Sequence, residues 1–170
     1  MSGIVPAPVT LVVRKSEVQA AVGGTAVAVL AAAGMLVGVA YMPTGNLQTS
    51  AFVFASVLVL MLIVTLGIEG SLLNDANVSP ISLENGTVTI VAETRMFVQG
   101  GLGVATAALL PAVVTVVLAG LAAFQQQKNM GAQRASWAVF GAALLAMILV
   151  SPAIGNLSAL SNQLPPPIAM

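Results

Sequence analysis

Four stretches of this chain, residues 18–40, 51–68, 99–123 and 136–154, contain no charged side chain and consist mostly of Ala, Val, Leu, Ile, Gly and Met. A hydrocarbon layer about 30 Å thick is crossed by roughly 20 helical residues. Each stretch reaches or approaches that length, so each is expected to be a membrane-spanning helix. Lipid offers no hydrogen bonds to backbone N–H and C=O groups, which leaves helices and closed barrels as the only spanning structures. Long apolar runs without strict alternation fit helices. The expected fold class is therefore an all-α integral membrane protein, a four-transmembrane-helix bundle making a single membrane domain over residues 1–170.

Composition points the same way. Of the 170 residues, 58% are hydrophobic and only 6% charged, and the mean hydropathy is +1.03. A water-soluble domain carries charge on about a quarter of its residues. This chain has too few polar side chains to clothe a water-facing surface, and the lipid bilayer is its expected partner. Five basic and five acidic residues cancel and are scattered, so there is no electrostatic footprint for nucleic acid. Cys and His are both absent, which removes disulfides, thiolate chemistry, haem ligation and the usual zinc and copper sites. No cofactor and no metal centre are expected.

The connections differ in kind. The N-terminal tail, residues 1–17, has no charge before Arg14 and Lys15, and the apolar run after it exceeds a signal-peptide core, so cleavage there is not expected. Residues 41–50 are uncharged and hold Pro43 and Gly45, which predicts a tight turn. The loop 124–135 is polar, with Lys128 and Arg134. Residues 69–98 form the longest soluble segment and hold four of the five acidic residues. The tail 155–170 is uncharged and contains three consecutive prolines, which favour an extended polyproline segment.

Apolarity cannot drive helices together in lipid, so small residues that let backbones approach are the packing signal. Ala20, Gly24, Ala28 and Ala32 recur every four residues in the first span, followed by the GxxxG pair Gly34 and Gly38. Gly103, Ala107, Pro111, Thr115, Ala119 and Ala123 repeat the device in the third, and Ala138, Ala142 and Ala146 in the fourth. The second span is bulky all round between Val57 and Val64. These patterns predict a seam of helices one, three and four, with helix two facing lipid. Pro111 should kink the third span and leave the Ala107 carbonyl without its donor, with Thr106 or Thr115 near enough to help.

Within the long loop, residues 80–91 read as a β-hairpin around Asn85-Gly86, a favoured type I′ turn. That turn would pair Glu84 with Thr87, Leu83 with Val88, Ser82 with Thr89 and Ile81 with Ile90. Ile81, Leu83, Val88 and Ile90 then share an apolar face, and with Asn85 and Gly86 they are the expected partner-binding residues. An isolated hairpin is marginal in water, so this face needs cover from the bundle, the bilayer surface or another protein.

With four spans, both tails and the long loop share one side. Arg14, Lys15 and Arg95 lie there against Lys128 and Arg134 opposite, a balance that assigns no orientation. Asn77-Val-Ser, Asn85-Gly-Thr and Asn156-Leu-Ser match glycosylation triplets that recur by chance and also assign none.

Catalytic chemistry is hard to find. Glu17 and Glu69 flank the first two spans, and their carboxylates are expected to reach water. No ionisable residue falls at a span centre, which argues against an ion-coupled carrier. No serine has a base partner, and Gly100-Gly-Leu-Gly103 lacks the Lys-Ser/Thr of a phosphate loop. No catalytic residues and no enzyme activity are expected. The leading functional expectation is a non-catalytic polytopic subunit that anchors, assembles or stabilises a larger membrane-embedded complex of secretion, respiratory or viral-envelope type. Its partners would be other membrane subunits or copies of itself. The alternatives are a membrane-active homo-oligomer, of pore, holin-like or membrane-fusion kind, and a channel for a small uncharged solute using Gln99, Thr106, Pro111 and Thr115.

Overall fold

The computed structural model describes residues 10–78, 82–83, 87–91 and 94–164, and side chains within 11–75 and 97–164. The elements are β1 (Thr10–Arg14), α1 (Lys15–Ala40), α2 (Asn46–Val78), β2 (Ser82–Leu83), β3 (Thr87–Val91), α3 (Thr94–Ala107), α4 (Leu109–Gln125) and α5 (Met130–Asn162). Among the described residues, four helical bodies, Lys15–Ala40, Asn46–Asp75, Phe97–Gln125 and Met130–Asn162, are long and apolar enough to cross a membrane. Each contains one expected span. The second and fourth run on for about two turns past the expected ends.

The buried positions follow one rhythm in every span. α1 buries Val18, Ala21, Thr25, Ala28, Ala32, Met35 and Val39. α2 buries Ala51, Ala55, Leu58, Leu62, Thr65, Glu69 and Leu72. The third body buries Val98, Gly101, Ala105, Ala108, Ala112, Thr115, Ala119 and Ala122, among others, and α5 buries Ser136, Val139, Ala143, Ala146, Val150, Ala153, Leu157 and Leu160. Steps of three and four alternate throughout. That 3.5-residue period is the seam of left-handed, shallow-angle helix packing. The opposite faces are lined by large apolar side chains such as Leu30, Leu60, Leu110 and Ile148, each more than 60% exposed.

α1 lies between α2 and α5, and the α3–α4 body also lies between α2 and α5, so the spans close into a ring with the first and last as neighbours. α2 is thus a full member of the bundle rather than a peripheral helix. Its bulky stretch divides cleanly, with Leu58 and Leu62 inward and Val57, Leu60, Ile63 and Val64 outward. The small residues predicted from four-residue spacing are split by the true period. Ala28, Ala32, Pro111, Ala119 and Ala146 are buried; Gly24, Gly38 and Ala142 are half-buried; Ala20, Gly34, Gly103, Ala107 and Ala138 face outward. A step of four rotates about 40° beyond a full turn, so such a row walks off any one face, whereas alternating three and four drifts only about 20° per heptad.

Two glycines of α1 sit tight against α5. A Cβ added at Gly24 would stand 2.7 Å from the Leu149 carbonyl oxygen, and one at Gly38 would stand 2.9 Å from Val139 Cγ2. The turn between α1 and α2 is closed by Gln48, whose Nε2 donates to the carbonyls of Val39, Ala40 and Met42 at 3.1, 3.3 and 3.2 Å. Gly45 within it has φ +142°, a region that side chains disfavour.

Where a kink is expected, the third span is interrupted for one residue between α3 and α4, at Ala108, whose backbone keeps helical dihedrals (φ −62°, ψ −23°). Hydrogen bonds bracket it, from Ala108 N to the Val104 carbonyl at 2.9 Å and from Ala112 N to the Ala108 carbonyl at 3.3 Å. The threonines do not compensate as expected. Thr106 donates to the carbonyls of Leu102 and Gly103, and Thr115 to that of Pro111, so neither serves Ala107.

The strands pair in the order β1-β3-β2, all antiparallel. β3 finds its longer partner in the N-terminal segment, with Thr10 opposite Val91, Val12 opposite Thr89 and Arg14 opposite Thr87. The segment read as a tail is therefore a strand. The predicted hairpin register is not found: Ser82 stands opposite Val88 and Leu83 opposite Thr87, one residue away from expectation. Residues 84–86, which include Asn85 and Gly86, and residue Ile81 lie outside the described residues. Leu83, Val88 and Ile90 are placed by their backbones alone. On β1, Leu11 and Val13 turn inward and join Val18, Leu72, Val98, Leu157 and Leu160 in an apolar cluster at this end of the bundle.

Candidate functional site, a polar layer inside the bundle

Two apolar clusters fill the bundle. The larger includes Ala28, Leu62 and Ala153, and the smaller includes Val18, Leu72 and Leu157. Glu69 on α2 and Asn156 on α5 fall where one cluster gives way to the other along their helices, and Thr25 on α1 lies between Ala21 and Ala28 of the larger. Thr25 and Glu69 occupy seam positions, and Asn156 adjoins the seam residue Leu157. Thr25 lies ten residues, about 15 Å, inside α1 from Lys15.

Glu69 is fully buried, contrary to the expectation that its carboxylate reaches water. The uncharged run ends at Ile68, but the helix continues, and Leu72, one turn beyond, is buried as well. The sidedness of a helix is set by its period, and the period carries Glu69 inward. Thr25 Oγ1 donates to Glu69 Oε2 across the α1–α2 contact at 3.4 Å. Asn156, 8% exposed, stands beside the same carboxylate. Its Nδ2 and Glu69 Oε1 are both buried and hydrogen-bonded to nothing. A carboxylate and a carboxamide, acceptor and donor, are thus neighbours on two helices.

Other buried hydroxyls behave differently. Thr65, Thr115 and Ser136 each donate to the carbonyl four residues earlier in their own helix, at 2.9, 2.8 and 2.9 Å. That bond satisfies the group locally and leaves nothing for a neighbour. Among the described residues, Thr25 is the buried hydroxyl that reaches across helices.

Asn156 also lines a groove of about 270 Å³ at the surface between α1 and α5, together with Glu17, Ala20, Pro152, Gly155 and Ala159. The groove lies toward the end of the bundle where the sheet sits. Glu17 is exposed there and pairs with Arg14 at 3.6 Å. Among the described residues no cationic side chain pairs with Glu69, and no three His, Cys, Asp or Glu side chains gather as metal ligands. Polar groups buried between membrane helices act either as interhelical glue or as stations for ions and protons.

At the opposite end, Trp137 makes edge-to-face contacts with Phe124 at 5.7 Å and Phe140 at 5.3 Å. Exposed Tyr41 ends α1 at that end. Amphipathic rings collect where apolar and aqueous surroundings meet.

Comparison with protein-family models, with curated proteins and with solved structures finds no match for the chain. In the sequence Asn156 stands in a glycosylation triplet and Glu69 at the end of an apolar run, and neither setting marks a buried polar group. The signal for Glu69 is the alternation of three and four, which passes through Leu58, Leu62 and Thr65 and lands on it; in α5 the same alternation lands on Leu157, beside Asn156.

Proposed function

We propose that this chain is a multi-pass membrane protein acting as a non-catalytic subunit, packing against further membrane helices to assemble or stabilise a larger complex. The observation that supports this reading is the outward face of α3. Gly100, Gly103 and Ala107 are exposed, and an added Cβ at either glycine would meet no atom within 4 Å. The seam of the bundle is filled by other residues, so this smooth strip is free for a neighbouring helix, and small-xxx-small strips are what membrane helices use for close approach.

The test is the size of the protein extracted from its own membrane. Native mass measurement and crosslinking are expected to find it in an assembly larger than one copy, and Gly103→Ile with Ala107→Ile is expected to release a folded monomer. A wild-type chain that is monomeric throughout, in mild detergent and in nanodiscs, overturns the reading.

A further inference from the structure

We infer that Glu69 is a proton-binding site, loaded from the groove between α1 and α5 by way of Asn156. Three observations converge on it. The carboxyl group is fully buried in the bundle, with Oε1 unpartnered. The side chain next to it, Asn156, is more than nine-tenths buried and holds an unpartnered Nδ2. Asn156 also lines the groove, so a single residue separates the carboxyl group from it.

An ionised carboxylate in such surroundings is costly unless it is paired. The neighbouring elements supply no counter-charge among the described residues. α1 offers Glu17 at the groove and Arg14 at its start, and these two pair with each other; Lys15 beside them is exposed. α2 contributes Asp75, exposed beyond the carboxyl group. From Phe97 onward the third body is uncharged, and α5 carries no charge after Arg134. Neutralisation then falls to a proton. Water in the groove delivers H⁺ past the Asn156 carboxamide to Oε1, the carboxylate becomes a neutral carboxylic acid, and release reverses the step. No electron moves and no other bond changes. Thr25, donating to Oε2, leaves Oε1 as the oxygen that takes the proton.

This inference is independent of the subunit reading, since it concerns the interior of one chain. Infrared difference spectra of the full chain in nanodiscs, recorded between acid and alkaline pH, test it. Expected is a protonated-carboxyl stretch that grows toward acid pH, shifts in heavy water and is lost in Glu69→Gln but retained in Asp75→Asn. Gly155→Phe tests the route. Gly155 lines the groove and an added Cβ there meets no atom within 4 Å, so a ring at this position is set to obstruct the groove, and deuterium exchange of the band is expected to slow several-fold. A spectrum without a band assignable to Glu69 overturns the site. A band abolished by sodium or potassium at constant pH overturns the proton in favour of a monovalent cation. Exchange that is unchanged in Gly155→Phe overturns the route.

Discussion

Gln163, just past the end of α5, brackets the backbone of Val12 in β1. Its Oε1 accepts from the Val12 N–H at 2.9 Å, and its Nε2 donates to the Val12 carbonyl at 3.1 Å. β1 is an edge strand, with its other side paired to β3. A side-chain amide thus supplies the donor and acceptor that a further strand would otherwise have provided, closing an edge that invites pairing with other chains. Each such bond is worth about 0.5–1.5 kcal/mol net. Gln163→Leu is expected to speed hydrogen exchange at Val12 by roughly tenfold, the equivalent of about 1.4 kcal/mol. Gln163→Glu, which keeps the acceptor alone, should fall between. Equal exchange in all three would show the bracket to be idle.

Gly24 and Gly34 make a matched pair for testing the α1–α5 contact. An added methyl at Gly24 meets a backbone carbonyl at 2.7 Å, and one at Gly34 meets nothing. Carbonyls in a helix yield little, so Gly24→Ala is expected to destabilise the bundle by about 1–3 kcal/mol. Gly34→Ala should be neutral or slightly stabilising, since Ala is the better helix former. Denaturant unfolding in mixed micelles distinguishes them, and equal midpoints would mean that the close approach is absent.

The Thr25–Glu69 bond ties α1 to α2 within the polar layer. Interhelical hydrogen bonds in membranes contribute about 0.6 kcal/mol on average. Thr25→Val is expected to cost about that much, and the same substitution in a Glu69→Leu background is expected to cost less. A double-mutant cycle in bicelles measures the difference, and additive effects would exclude a direct bond.

Trp137 is the single tryptophan of the chain, which makes its depth measurable. Lying near the start of α5 in its aromatic cluster, it is expected near the lipid headgroups. Lipids brominated close to the headgroup should quench its fluorescence more strongly than lipids brominated near the chain ends. The reverse order would place the membrane elsewhere on the bundle.

Much of this architecture was legible in the sequence for a simple reason: length and apolarity decide whether a helix can span lipid, and both are read directly. Which side of a helix faces inward was harder. Lipid tails and a bundle interior are equally apolar, so Leu58 and Leu60 look alike in the text although one is buried and the other exposed. Rows of Ala and Gly spaced by four suggested a seam, but the seam ran through Ala21, Thr25 and Ala28 instead of Ala20 and Gly24. Glu69 marked where hydropathy falls, which is a property of the residue, whereas its burial belongs to a helix that continues beyond it. β1 carried alternating inward Leu11 and Val13, yet its partner β3 lies more than seventy residues along the chain, and no turn motif announces so distant a pairing.

The ring of spans has a consequence for how the protein is made. Chains leave the ribosome N-terminus first, and Glu69 takes its neighbours from the first span and the last. Thr25 is in place when α2 arrives, but Asn156 comes only with the end of α5, almost ninety residues later. Throughout that interval the carboxyl group lies on an unfinished bundle, two helices until the α3–α4 body arrives and three until α5 does, open to whatever lipid, water or chaperone occupies the missing sides. The closing of α5 against α1 is therefore the event that completes the interior.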